Sequence, residues 1–114
     1  MAEGYEPKPP EGFTLWNSGN VNVEKVGRFA FIGFGNVSFN SDGVTVNVTL
    51  PDELKPMHNT NVYSKCWDGS SYVDCQLLIW ADGKIRFATL SGGAISGLQT
   101  SFFQTKPITY MTAQ

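Results

Sequence analysis

Residues 74–90 read DCQLLIWADGKIRFATL, and this stretch carries the most specific fold information in the chain. Two apolar runs, 74–81 and 84–90, flank Asp82-Gly83, a dipeptide that favours the two-residue turn of a β-hairpin. The first run is apolar on both of its faces, so we expect that strand to lie between two layers or against another subunit. The stretch therefore predicts an antiparallel hairpin within a sheet.

Strand and turn signals repeat on both sides of this hairpin. Pro51 and Pro56 cannot lie inside a ladder, so they bracket an ordered corner with room for a single helical turn. Asn40-Ser41-Asp42-Gly43 and residues 68–71 read as turns, because Asp, Asn, Ser and Gly favour turn geometry. The other predicted strands start near Val21 and Val23 and cover 27–34 (apolar on both faces), Val37 to Phe39, 43–50 (strictly alternating), 61–67, 98–104 and 108–112. This spacing predicts an all-β fold, an antiparallel β-sandwich or jelly-roll-like barrel of about eight strands.

Composition limits the classes of protein to which the chain can belong. Its 114 residues suffice for one domain, and 41% hydrophobic against 16% charged residues is the reverse of a disordered chain. The net charge is −2, so the chain lacks the excess of positive charge that binds phosphates. This argues against nucleic-acid binding. The sequence contains no run of 18 apolar residues, so it does not predict a membrane-spanning helix. Residues 1–12 are polar and rich in proline, so we read them as a linker before a domain over 13–114.

The order of several short motifs resembles the C-terminal head domains of phage receptor-binding proteins and of tail-fibre or baseplate tips. The matching residues are Gly27-Arg28, Thr49-Leu50-Pro51, Leu54-Lys55-Pro56, Ile79 to Ile85 and the final Ile108-Thr109-Tyr110. The resemblance implies a homotrimeric sandwich at the tip of a virion, made in the bacterial cytoplasm. It also implies adhesion to a host cell-surface saccharide and contacts with other tail or baseplate proteins. The low charge and the strands that are apolar on both faces agree with a trimer.

Cys66 and Cys75 flank a predicted hairpin turn with eight residues between them. At neighbouring strand positions they could form a disulfide. The resemblance places folding in a reducing cytosol, where disulfides are rare, so we favour buried thiols over a disulfide.

The candidate ligand site is the turn that joins Trp67-Asp68 to Tyr72 and Asp74. A sugar ring packs its apolar face on an aromatic side chain, and nearby carboxylates accept hydrogen bonds from its hydroxyls. The same residues have a plainer explanation, since aromatic side chains fill cores and subunit interfaces and Asp before Gly favours turns. Trp16 and Trp80 are further aromatic candidates, and the small residues of 91–97 form an alternative rim.

His58, the one histidine, is a secondary candidate for ligand contact, although a surface loop explains it as well. It has no evident carboxylate and nucleophile as partners, so no catalytic set can be assembled and we expect no enzyme activity. One histidine and two cysteines do not make a zinc site, and no calcium-binding loop pattern is present. We expect no metal and no cofactor.

These observations favour a non-enzymatic adhesion module. Two alternatives remain open. One is a structural piece of a phage baseplate or fibre that only forms trimers, and the other is a carbohydrate-binding module of a bacterial enzyme.

Overall fold

Eight β-strands and one short 3₁₀ helix form the regular structure in the computed structural model, which describes residues 13–104 and 108–114. The predicted linker, residues 1–12, lies outside the described residues. The elements are β1 (Thr14–Ser18), β2 (Val21–Val26), β3 (Phe29–Phe34), η1 (Asp52–Leu54), β4 (Thr60–Trp67), β5 (Tyr72–Ile79), β6 (Ile85–Ala88), β7 (Gln99–Gln104) and β8 (Ile108–Met111).

The strands form two four-stranded sheets that pack face to face. Sheet 1 has the order β1-β2-β3-β8 and sheet 2 the order β6-β5-β4-β7. Every pairing between these strands is antiparallel. The prediction of an all-β sandwich of about eight strands is therefore confirmed. Within the described residues, no helix has the length and apolar character needed to cross a membrane.

Strict alternation along β2 and β3 builds the inner face of sheet 1. Val21, Val23 and Lys25 are buried, while Asn22, Glu24 and Val26 face solvent. In β3 the small or branched Ala30 and Ile32 point into the core, and Phe29 and Phe31 point outward. These two phenylalanines are 58% and 44% exposed, so β3 is apolar on a face that nothing in the described chain covers.

Phe87 of β6 lies at the centre of the core and joins the two sheets. It is fully buried, and its ring meets that of Phe34 from sheet 1 edge to face at 5.0 Å between centroids. Phe39 makes a similar contact with it at 6.2 Å. Edge-to-face packing places the positive rim of one ring on the negative face of another, which adds to the gain from burial alone.

The corner between Pro51 and Pro56 contains a single helical turn, for which the sequence leaves room. Leu54 is fully buried, and its carbonyl accepts a 2.8 Å hydrogen bond from the hydroxyl of Tyr110 in sheet 1. Burial raises the pKa of Tyr110, which keeps the hydroxyl protonated as a donor. Lys25 Nζ donates to the carbonyl of Glu53 at 2.8 Å. Sheet 1 thus holds the corner in place.

The prediction of a regular β-strand over 43–50 is wrong. The segment makes isolated bridges, with Val46 N donating to Ile85 O at 2.8 Å and Leu50 N to Gly83 O at 2.9 Å. Thr45 and Val46 are consecutive and both buried, so the strict alternation is broken in space. The segment follows the edge of β6 for a few bonds and then turns away into the proline corner.

Strand β1 was not predicted from the sequence. Its residues, TLWNS, lack a run of β-branched side chains, and the pairing with β2 brings them into sheet 1.

The expectation of free thiols at Cys66 and Cys75 is also wrong, because the two residues form a disulfide. They lie on adjacent strands, where Cys66 pairs with Val73 and Cys75 with Ser64. This diagonal relation places their Cα atoms 6.0 Å apart, a usual disulfide separation. Both residues are fully buried, as expected.

Candidate functional site

Trp67 and Tyr72 face each other at the end of the β4–β5 hairpin. Trp67 is the last residue of β4 and Tyr72 the first of β5, and they occupy paired positions in the ladder. Their rings meet at 5.0 Å between centroids with an interplanar angle of 68°. Tyr72 is 42% exposed and Trp67 is partly exposed. The pair thus presents aromatic surface to solvent on the outer face of sheet 2.

Asp68 uses its carboxylate to hold the turn between these two residues. Its Oδ1 accepts hydrogen bonds from the backbone amides of Ser71 at 2.8 Å and Ser70 at 2.9 Å. These bonds, first that of Ser71, lower the pKa of Asp68 because they stabilise the charged form. Gly69 supplies the positive φ of 100° that the turn needs. Asp68 therefore fixes the position of the aromatic pair and has little bonding capacity left for a ligand.

Asp74 lies one step further along the same face and forms an ion pair. Its Oδ1 accepts from Lys65 Nζ at 2.8 Å, and the two residues are directly paired across the strands. The side chains are 55% exposed for Lys65 and 65% for Asp74. An ion pair this open contributes little to stability, but it leaves donor and acceptor positions facing solvent.

His58 is not brought to this turn. It is exposed and lies just before β4, whereas Trp67 ends that strand. Eight strand residues separate the two ends by about 25 Å. The neighbour of His58, Asn59, accepts a hydrogen bond from Ala81 N at 2.8 Å, which places both beside the β5–β6 turn. The structure thus separates this secondary candidate from the other predicted site residues.

The alternative rim, residues 91–97, lies directly against the β4–β5 turn. A side chain at Gly97 would collide with the carbonyl oxygen of Asp68, and Gly97 has a φ of 74°. Small residues therefore permit a close approach of two backbones, which is the property that suggested a rim. The two candidate regions are neighbours and form one end of the sandwich.

Three residues at the outer face of sheet 2 were not identified as candidate site residues from the sequence. Tyr63 is 64% exposed and Leu90 57% exposed. Gln76 pairs with Tyr63 in the ladder, and its Nε2 donates to the carbonyl of Thr89 at 3.0 Å, next to Leu90. The period of two in β4 could have found Tyr63, since it shares a face with Lys65 and Trp67.

The other two tryptophans have structural roles. Trp16 packs against the core from β1. Trp80 lies under the guanidinium of Arg86, whose Cζ is 4.5 Å from the ring centroid. A cation over a tryptophan face is attracted by the ring quadrupole.

The chemistry available at this end of the molecule is stacking and hydrogen bonding. Among the residues that the structure describes, no group of three or more His, Cys, Asp or Glu side chains could hold a metal ion. Trp67, Tyr72 and Tyr63 offer ring faces, and Lys65 and Asp74 offer a donor and an acceptor.

Comparison of the chain with protein-family models, with curated proteins and with solved structures finds no match.

Proposed function

We propose that this chain is the saccharide-binding head domain of a phage receptor-binding protein, with no enzymatic activity of its own. In this role it stands at the tip of a virion tail or baseplate, contacts other tail proteins and adheres to a host cell-surface saccharide. The site lies at the end of the β4–β5 hairpin, with Trp67 and Tyr72 as the stacking residues and Asp74 as a hydrogen-bonding residue. Asp68 fixes the turn between them.

The observation that carries this proposal is the partly exposed Trp67–Tyr72 pair, with ring centroids 5.0 Å apart. Aromatic side chains held rigidly at a surface supply contact area at low cost in conformational entropy. A sugar ring needs such an apolar surface together with nearby polar groups. The Lys65–Asp74 ion pair provides these polar groups, because it is the next outward-facing residue pair along the β4–β5 ladder.

A shallow site of this kind binds weakly, and weak binding is sufficient for adhesion. A dissociation constant of roughly 0.1–1 mM corresponds to about 4–5.5 kcal/mol. Several linked copies raise the overall avidity by roughly 10²–10⁴ without any new contact. The proposed role therefore requires more than one copy of the domain.

The outer face of sheet 1 offers a surface for self-association, which the proposed homotrimer requires. Five large apolar side chains share this face and are at least 38% exposed: Leu15, Val26, Phe29, Phe31 and Met111. Phe29 pairs in the ladder with both Val26 and Met111, so three of them are contiguous. A contiguous apolar surface of this kind on a small domain is typical of a protein interface.

The same apolar face favours a second candidate function, a structural trimer that docks other virion proteins and binds no sugar. A free carbohydrate-binding module of a bacterial enzyme is the third alternative, and it would be monomeric with this face exposed.

The deciding experiment is adsorption of purified protein to bacterial envelopes and to a glycan array, with Trp67→Ala compared with wild type. His58→Ala is the control, because His58 is exposed and lies at the far end of β4. Melting temperature and mass in solution are checked first for each variant. We expect Trp67→Ala to lose at least about tenfold in affinity per site, the equivalent of about 1.4 kcal/mol, and His58→Ala to match wild type.

Two outcomes would contradict the proposal. A wild-type trimer that adsorbs to no envelope and no glycan supports the structural role. A folded Trp67→Ala variant that adsorbs like wild type places the binding site elsewhere on the molecule.

A further inference from the structure

The outer face of sheet 2 is organised in rows that continue beyond the proposed site. The ladder pairs Trp67 with Tyr72, Lys65 with Asp74 and Tyr63 with Gln76. Residues two apart on a strand share a face and lie about 6.5–7 Å apart. Aromatic side chains therefore stand in the first and third rows, with the ion pair in the row between them.

An open groove of about 510 Å³ lies along the second and third of these rows. Its lining consists of Tyr63, Ser64, Lys65, Asp74, Cys75 and Leu90. Leu90 comes from the chain after β6 and is held beside the groove by Gln76, whose amide donates to the carbonyls of Thr89 at 3.0 Å and Leu90 at 3.5 Å. The groove thus has an aromatic and an aliphatic wall, with charged groups along its course.

The spacing of the aromatic side chains sets the size of the ligand. Four residues along β4 place Tyr63 about 13 Å from Trp67. A single sugar ring that stacks on Trp67 cannot also contact Tyr63. A ligand that uses both must consist of several linked rings and must cross the ion-pair row.

The charges along the groove set the class of the ligand. Lys65 and Asp74 lie 2.8 Å apart and neutralise each other. Together they present donors and acceptors side by side, which suits a hydroxyl group because a hydroxyl both donates and accepts. A carboxylate or sulfate on the sugar would meet the like charge of Asp74, and the opposite charge of Lys65 is already offset by its pairing with Asp74.

We infer that the ligand of this face is an uncharged oligosaccharide that lies across sheet 2 from the Trp67–Tyr72 pair to Tyr63, rather than a single terminal sugar. This inference rests on the proposed function and specifies its substrate class. Tyr63 and Leu90 form the second subsite, and the ion pair contacts the hydroxyl groups between the two subsites.

The experiment measures affinity for neutral glycan fragments of graded length, from single sugars to hexasaccharides, together with matched fragments that carry uronic acid. The fragments come from glucans, mannans, galactans and rhamnans, and each is tested with wild type, Tyr63→Ala and Tyr63→Phe. Tyr63→Phe is the matched control, since it keeps the ring and removes only the hydroxyl. The 64% exposure of Tyr63 makes loss of folding from these changes unexpected, and circular dichroism checks it.

We expect wild-type affinity to rise about tenfold or more from single sugars to the longest neutral fragments, the range that one well-placed contact supplies. Tyr63→Ala should bind long fragments only as tightly as short ones, while Tyr63→Phe keeps the increase. Asp74→Asn should improve binding of the uronic-acid fragments, because it removes the like charge.

Three results would overturn the inference. The first is affinity that does not depend on length. The second is a preference of wild type for the acidic fragments. The third is a folded Tyr63→Ala variant that binds long fragments as wild type does. If Trp67→Ala still abolishes binding in these cases, the proposed function stands and only the extended site is wrong. Failure of every fragment to bind wild type contradicts both.

Discussion

Asp42 shows at the scale of one residue how a turn carboxylate stabilises this fold. Its Oδ1 accepts from the amides of Val44 at 2.9 Å and Thr45 at 2.8 Å, and its Oδ2 accepts from the Thr45 hydroxyl at 2.6 Å. These bonds, first that of the Thr45 hydroxyl, lower the pKa of Asp42 from 3.8 to about 2. Hydrogen bonds to the charged form favour ionisation, so the native state holds this proton less tightly than the unfolded chain does.

The first prediction concerns the effect of pH on this turn. A depressed native pKa stabilises the fold fully above the unfolded pKa of 3.8, and this contribution disappears as the pH falls through about 2. We expect Asp42→Asn to lower the urea midpoint at pH 7, and the gap from wild type to close as the pH approaches 2. Urea unfolding followed by tryptophan fluorescence across this range measures the gap.

The control for this prediction is Asp82→Asn, at the β5–β6 turn. Asp82 Oδ1 accepts a hydrogen bond from the backbone amide of Lys84 at 2.9 Å, and its substitution should cost less at pH 7. A gap between Asp42→Asn and wild type that stays constant from pH 7 to pH 2 would contradict the assignment.

At the scale of elements, the β4–β5 hairpin carries both the candidate site and the disulfide. Cys66 and Cys75 lie one residue inside Trp67 and Asp74, respectively, and point into the sandwich while those neighbours point out. The disulfide therefore links the two strands beneath the Lys65–Asp74 ion pair, in the row next to the aromatic pair. A cross-link also removes conformational freedom from the unfolded chain, which raises the relative stability of the folded state.

The second prediction is that loss of this disulfide lowers the free energy of unfolding by about 2–3 kcal/mol, the loop-entropy estimate for cysteines nine positions apart. The double variant Cys66→Ala/Cys75→Ala should unfold at lower urea than oxidised wild type. Reductant should move wild type toward the variant and leave the variant unchanged. Wild type that unfolds at the same urea concentration with and without reductant would show that no such bond forms.

The sequence predicts those elements whose local signals agree with their tertiary surroundings. The hairpin at Asp82-Gly83 and the proline corner depend on backbone preferences, and the sequence predicts both. The prediction of a two-residue turn is wrong by one residue, because Gly83 N donates to Trp80 O at 2.8 Å and Trp80 N to Lys84 O at 3.1 Å, so Ala81, Asp82 and Gly83 form the connection. The segment 43–50 has strong alternation, but β6 on one side and residues 38–40 on the other offer it only isolated bridges. That fact is not local. β1 is a strand because β2 lies beside it, so its own residues give little sign of it.

The candidate site also contains some features that the local sequence predicts and others that depend on tertiary contacts. Trp67 and Tyr72 flank one turn in the sequence, so their proximity was predictable from the hairpin alone. Leu90 reaches the same face because Gln76 binds the chain after β6, a contact that no sequence pattern reveals. The disulfide depends on a diagonal register between two strands, which the spacing permits but does not decide.

At the scale of the whole molecule, the two outer faces of the sandwich differ in character. The outer face of sheet 1 carries Leu15, Phe29 and Phe31 with Glu24 between two of them in the ladder. The outer face of sheet 2 mixes aromatic rings with the Lys65–Asp74 ion pair. An apolar face suits permanent contact between copies, whereas a mixed face suits a hydrated ligand that binds and leaves. This difference agrees with the proposal that sheet 1 assembles a trimer and sheet 2 binds sugar.

The third prediction tests this division by placing a charge on each face in turn. Wild type should scatter light as a particle of three chains at micromolar concentration. Phe31→Asp should give a monomer, because burying an unpaired carboxylate in an apolar interface costs more than the contact returns. Tyr63→Asp, which also replaces an exposed ring but on sheet 2, should remain a trimer and lose only affinity for long glycans. If Tyr63→Asp dissociates while Phe31→Asp stays assembled, sheet 2 is the interface and the sugar site there is wrong. A monomeric wild type would remove the trimer altogether and favour a free carbohydrate-binding module, since adhesion by a single weak site lacks the avidity that the proposed virion role requires.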